Sequence, residues 1–343
     1  MTRPLVRIWD DTYAYKKMFV LMGFDALRRR GAVDLVMEPY EAFERRGAPA
    51  VERGDYQSHK NIVVAEVDFG GKAVRMAYDA NDIYYKIPNR LLRWAGLYFK
   101  SNYQEDYLRS GGRLRGEYWE ALPFFANLLP EPLDVSQAGK FRRANFSMEL
   151  YGSFWRNRMH LAAMNGLWHR GGVERKRADV FFIGRYWSET KISTLALVDA
   201  VRDSRRKLAG GIVESGDPIP DSHRAFRTRA VSLGKWGRMA ADAKVSVVTR
   251  GLQGCVGFKP LNLLMAGAPF IANRLMSNLV EPLVDGVNYL AAADDFSDLP
   301  EKLDACTPER LREMGRANRD HWNRSASPEA TARYLLAEAE KLA

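Results

Sequence analysis

Residues 250–259, Arg-Gly-Leu-Gln-Gly-Cys-Val-Gly-Phe-Lys, gather groups suited to holding an anion. Gly251, Gly254 and Gly257 let backbone N–H groups approach a ligand closely. Arg250 offers a planar fork of donors, and Lys259 a point charge. The loop follows a β-rich run, residues 245–249. It precedes Phe258, Leu261, Leu264 and Met265, which are spaced for one face of a helix. A strand that feeds a glycine-rich loop and then a helix N-terminus favours a phosphate, because the first N–H groups are unpaired and the helix end is positive. Lys259 in the first turn opposes that dipole, which an anion beside it would offset. Strand–loop–helix units of this shape also occur where nothing binds, so the spacing alone states a capacity.

The stretch 244–290 as a whole reads as strand, loop, helix, strand, helix, strand, with Gly267 and Pro269 stopping the first helix. Upstream, residues 180–183 form a wholly apolar strand of the kind buried on both faces of a parallel sheet, ended by Gly184 and Arg185. A helix over 189–207 carries Ile192, Leu195, Val198 and Val201 on one stripe. Residues 211–213 read as a strand, and 222–230 and 235–241 as helical. Thr307-Pro308 and Ser327-Pro328 each open a further helix. The N-terminal half offers strands at 5–9, 33–37, 62–67, 73–78 and 97–100, helices at 16–30 and 104–109, a turn at 68–71 and an exposed loop at 46–60. Residues 126–150 read as a linker and crossing segment. Residues 151–170, with Tyr151, Phe154, Trp155 and Trp168, read as a helix laid over the core.

The runs KPLNLLMAGAPFIA and LVEPLVDGVNYL, with FFIGRYWSETK at 181–191, resemble the donor half of GT-B glycosyltransferases of the "glycosyl transferases group 1" type. The likeness covers residues 178–343; residues 1–150 match in overall plan only. It implies an α/β protein of two Rossmann-like domains. These are an acceptor-side domain at 1–150, a linker and crossing segment at 151–177, and a nucleotide-sugar domain at 178–323. A final helix at 324–343 packs back on the first domain. The implied activity is transfer of a sugar from a nucleotide-activated donor to a glycan or lipid-linked acceptor in bacterial surface polysaccharide synthesis, without a metal or other cofactor. The donor would be held by Gly184, Arg185, Lys191, Arg250, Gly257, Phe258 and Lys259, with Glu281 at the family's acidic position. Many members carry two glutamates eight positions apart; Gly254 and Asn262 stand there in this chain, which leaves Asn262 as a neutral ribose partner. A general base would come from the first domain, where Asp82, Asp79 and Asp10 follow strands; each also fits an ordinary turn or helix cap.

The 343 residues, 46% of them hydrophobic, are ample for two cores. Two cysteines, Cys255 and Cys306, form no disulfide framework and point to a reducing, cytoplasmic setting. The histidines show no metal-ligand spacing, and neither a Walker loop, a Gly-x-Ser-x-Gly nor an Asp-x-Asp signature is present. The longest apolar run, around 263–272, is too short for a transmembrane helix. The net charge of +10 is spread over several clusters. It favours peripheral attachment to an anionic inner-membrane face as a secondary property. Without a nucleic-acid-binding motif, nucleic acid is not the expected partner. Two alternatives are a GT-B-shaped nucleotide-binding accessory protein without turnover, motivated by the absent glutamates, and a basic α/β nucleic-acid-binding protein.

Overall fold

The computed structural model describes residues 3–10, 16–45, 61–81, 84–85, 87–111, 133–145, 147–148, 150, 153–167, 176–186, 191–249, 251, 256–275 and 278–343. The chain forms two compact units. The first comprises Met1–Arg158, Ser277–Pro282 and Arg324–Ala343; the second, Met159–Met276 and Leu283–Asn323.

The first unit contains β1 (Leu5–Trp9), α1 (Lys16–Arg29), β2 (Asp34–Glu38), α2 (Tyr40–Arg45), β3 (Ile62–Asp68), β4 (Ala73–Asp79), α3 (Asn89–Trp94), β5 (Leu97–Lys100), α4 (Glu105–Arg109) and β6 (Phe141–Arg143). The described strands make one sheet in the order β2-β1-β3-β4-β5-β6. All run the same way except β3, which is antiparallel to both neighbours. The cause is local. Asp68 accepts the N–H of Gly71 at 2.7 Å, and Gly70 and Gly71 hold φ of 77° and 108°. That tight turn folds β4 back on β3, as expected from the sequence. The carboxyl ends of the five co-directional strands therefore share one edge.

The core packs Val6, Ile8, Leu21, Phe24, Val63 and Phe99 against Ala332, Leu335 and Ala339 of the helix Pro328–Glu340. The C-terminal helix thus returns to the first unit. Phe141 of β6 is buried at the sheet's edge, within the stretch read as linker and crossing segment. Its other two residues are arginines, so no apolar alternation announced it.

The helix α5 (Phe154–Gly166) leads into the second unit. There follow β7 (Ala178–Tyr186), α6 (Lys191–Asp203), β8 (Leu208–Glu214), β9 (Arg227–Thr228), α7 (Leu233–Ala241), β10 (Ala243–Val248), α8 (Phe258–Ala266), β11 (Phe270–Asn273), β12 (Leu290–Ala292), α9 (Leu299–Asp304) and α10 (Pro308–His321). α11 is the returning helix Pro328–Glu340. The described strands of this unit form an all-parallel sheet, order β12-β11-β10-β7-β8-β9. Val180, Phe182, Val245, Val247 and Ile271 are buried in it, as the continuous apolar run predicts.

Three expectations are corrected. β7 does not stop at Gly184 and Arg185 but pairs with β8 through Tyr186↔Glu214. Residues 222–230 are not a helix: a 3₁₀ turn, Asp221–Phe226, runs straight into β9. No helix lies between β11 and β12 among the described residues; a turn stands there instead. Asp285 accepts the N–H of Ala291 at 2.8 Å, Asn288 that of Val284 at 3.0 Å, and Gly286 holds φ 79°. The Asp-Gly-x-Asn motif does turn chemistry.

Candidate active site

Numbered within the second unit, the strand order is 3-2-1-4-5-6, and the direction of winding reverses between β7 and β10. In such sheets ligands sit outside the carboxyl ends of the strands at that reversal. The residues around it are Arg185 and Tyr186 from β7 and Gly257, Phe258 and Lys259 where α8 begins. Gly257 is the N-cap of α8 and has no side chain with which to satisfy the first turn. Among the described residues no side chain caps this helix start, an end of the kind that accepts an external anion.

The Lys259 side chain crosses from α8 to β7, where its ammonium donates to the carbonyl of Ile183 at 2.7 Å. Burial pulls its pKa down from the ordinary 10.5 to about 8, and the Arg185 guanidinium adds to the fall. Two cations and a positive helix end thus meet here. Lys191, at the start of α6, is placed differently. It pairs with Asp217 at 2.5 Å, and its ammonium stands 5.7 Å from the Tyr186 ring centroid. Asp217 was not anticipated, because its role arises only when the start of α6 meets the loop after β8.

Three other expected donor contacts have different surroundings. A Cβ on Gly184 would lie 2.3 Å from the Phe182 ring, so this glycine makes room for the core. Asn262 is fully buried and donates to the Phe258 carbonyl at 2.9 Å, which turns it into the helix rather than toward a ribose. Glu281 belongs to the first unit, where Arg324 Nε reaches both its oxygens, at 3.1 and 3.0 Å. Asn288 and Asn318 also carry a task invisible in sequence. Asn318 donates to the Ala268 carbonyl at 2.9 Å and tethers α10 to the turn after α8.

Of the candidate bases, Asp10 is buried in an ion pair with Lys17. Asp79 has no exposed surface. One of its oxygens accepts from Tyr98 at 2.7 Å and Lys100 at 2.8 Å; the other accepts from the Asn81 backbone at 2.9 Å and side chain at 2.8 Å. Four donors fill the carboxylate, and the negative charge, with burial first, drives the Tyr98 hydroxyl well above its ordinary pKa. This arrangement joins the ends of β4 and β5 and gives an acceptor hydroxyl no place to bind. Asp82 and Arg250 lie outside the described residues.

Among the described residues, no three His, Cys, Asp or Glu side chains come together as metal ligands would. No helix there is long and apolar enough to cross a membrane. No protein-family model and no curated protein matches the chain. Solved structures do. A glycosyltransferase from Rickettsia africae ESF-5 is 10% identical with a TM-score of 0.43, over 75% of this chain and 68% of that one. Anabaena HepE in complex with UDP and glucose is 11% identical with a TM-score of 0.46, over 76% and 70%. Acinetobacter baumannii MurG is 11% identical with a TM-score of 0.40, over 98% and 99%.

Proposed function

We propose that the second unit binds a nucleotide-activated sugar at the carboxyl edge of its parallel sheet, and that the chain transfers the sugar to a glycan or lipid-linked acceptor. What carries this reading is the meeting of Arg185, Lys259 and the uncapped start of α8 at the reversal of a 3-2-1-4-5-6 sheet. A leaving nucleoside diphosphate develops charge as the glycosidic bond breaks, and preorganised donors aimed at that charge lower the barrier. Lys259 supplies a point charge, Arg185 a fork of donors, and α8 its N–H groups, so the departing diphosphate is met without a metal. Lys191 takes part through exchange of its Asp217 partner for phosphate. The acceptor belongs to the first unit on the GT-B plan, as does the base. Asp10 and Asp79 are already engaged by lysines, so Asp82 becomes the first carboxylate to mutate. The setting we assign is surface polysaccharide or glycolipid assembly at the inner face of a membrane.

A nucleotide-binding protein without turnover is the second reading, favoured by the inward-turned Asn262 where relatives of this type carry a carboxylate. The two are separated by donor consumption in the presence of acceptor.

Thermal melting with UDP, GDP, ADP, CMP and dTDP, beside an oligonucleotide, tests the site. A ligand at about a hundred times its Kd adds roughly 2.7 kcal/mol of stability. One nucleotide should raise the melting temperature, and Lys259→Ala and Arg185→Ala should each abolish the rise. Stabilisation by the oligonucleotide alone, lost with added salt, would sink the donor-site reading.

A further inference from the structure

α5 turns its largest apolar side chains to solvent. Trp155 is 66% exposed and Met159 54%. Positions 155, 159, 162 and 166 follow one line along a helix, and Ala162 and Gly166 on that line are also exposed, with Ala163 beside them. The opposite side, at positions 157 and 164, is buried, so an asparagine faces inward while an indole faces outward. Ordinary surface helices do the reverse. The expectation that 151–170 covers the core accounts for Met164 and leaves Trp155 without a role. α5 contains no acidic residue. Arg156 is exposed at the border of the stripe, and Arg158 is occupied by an ion pair with Asp25.

We propose that this face of α5 is a docking surface for an anionic phospholipid bilayer, with Trp155 and Met159 entering the boundary between headgroups and acyl chains and Arg156 at the level of the phosphates. An indole has an apolar body and a polar N–H, which suits that boundary. A helix with apolar residues on one side and basic residues beside them lies in the plane of the interface. The stripe is roughly 16 Å long, enough for two anchors but not for irreversible insertion. The charge argument selects the lipid: the helix has arginines without acids, in a chain with a net charge of +10. The inference rests on the membrane setting proposed above and is independent of the transfer chemistry.

The test is co-sedimentation of the full chain with mixed phosphatidylcholine–phosphatidylglycerol vesicles and with phosphatidylcholine alone. The wild type should sediment with the mixed vesicles at low salt and be released by high salt. Trp155→Ser with Met159→Ser should lower partitioning about tenfold, and Arg156→Glu should lower it with the apolar stripe intact. Both variants should retain the wild-type melting temperature, and a nucleotide shift, if the wild type has one, should survive in both. Loss of that shift in the wild type would remove the donor site and leave this inference standing. Three results would overturn it: a wild type that ignores anionic vesicles, variants that sediment like the wild type, or a wild-type dimer that the double substitution converts to monomer.

Discussion

Lys259 is the residue whose surroundings oppose its charge most clearly. With a folded pKa of about 8 against the ordinary 10.5, it binds its proton less readily in the folded chain than in the unfolded one. Holding that proton therefore costs stability below pH 8, and the cost fades as pH rises from about 8 to 10.5. A bound diphosphate reverses the preference, since the anion favours the ammonium. Nucleotide affinity should accordingly fall by up to roughly tenfold between about pH 7 and pH 9. Calorimetric titration of Lys259→Met should give weaker binding and a flat profile over that range; an unchanged slope in the variant would remove Lys259 from the site. Lys259 was legible in the sequence because its loop and helix are contiguous. The duties of Asp79 and Asn262 were not. Asp79 meets Lys100 only once β4 and β5 pair, and Asn262 faces inward because of which arc of α8 packs on the sheet.

Among the elements, α1 packs against α11 with no room for a side chain at Gly23. A Cβ on Gly23 would lie 2.1 Å from the Pro328 carbonyl oxygen and 2.9 Å from the Ala332 Cβ. Glycine-to-alanine within a helix ordinarily gains about 0.5–1 kcal/mol. Here Gly23→Ala should instead lose about 1–3 kcal/mol, the cost of overpacking. Urea unfolding measures it, and a stabilised variant would contradict the contact. The elements that sequence revealed have strong local signals. β1 (LVRIW) and β5 (LYFK) are short, mostly apolar runs with one basic residue each, and the hydroxyls of Thr307 and Ser327 cap α10 and α11 as expected, accepting from the third residue onward. β6 and β9 were missed because three and two residues are too short to show a period. The helix wrongly expected before β12 gives way to a turn whose backbone is satisfied by Asp285 and Asn288.

The whole molecule is two cores on a chain that visits the first unit three times. Both Rossmann-like halves could be anticipated from apolar strands alternating with helices, but β3, antiparallel within the first sheet, depends on a hairpin whose strand direction no period encodes. The last visit matters for stability. Ala332, Leu335 and Ala339 complete the first core, and Asn145 donates to the Ser325 carbonyl at 2.7 Å. Removing residues 324–343 should erase hydrogen-exchange protection across β1 and α1 and leave β7 and β10 protected. Equal loss in both units would mean that their cores are not separate. The same feature sets an order of events during synthesis. The second unit's strands are all translated before α11 leaves the ribosome, so its sheet can close while α1 still lacks the helix that covers it. At roughly 5–20 residues per second, the first unit waits on the order of 10–40 s for the segment beyond Asn323. Through that interval it presents an open apolar groove to chaperones and proteases, which the returning helix α11 then closes.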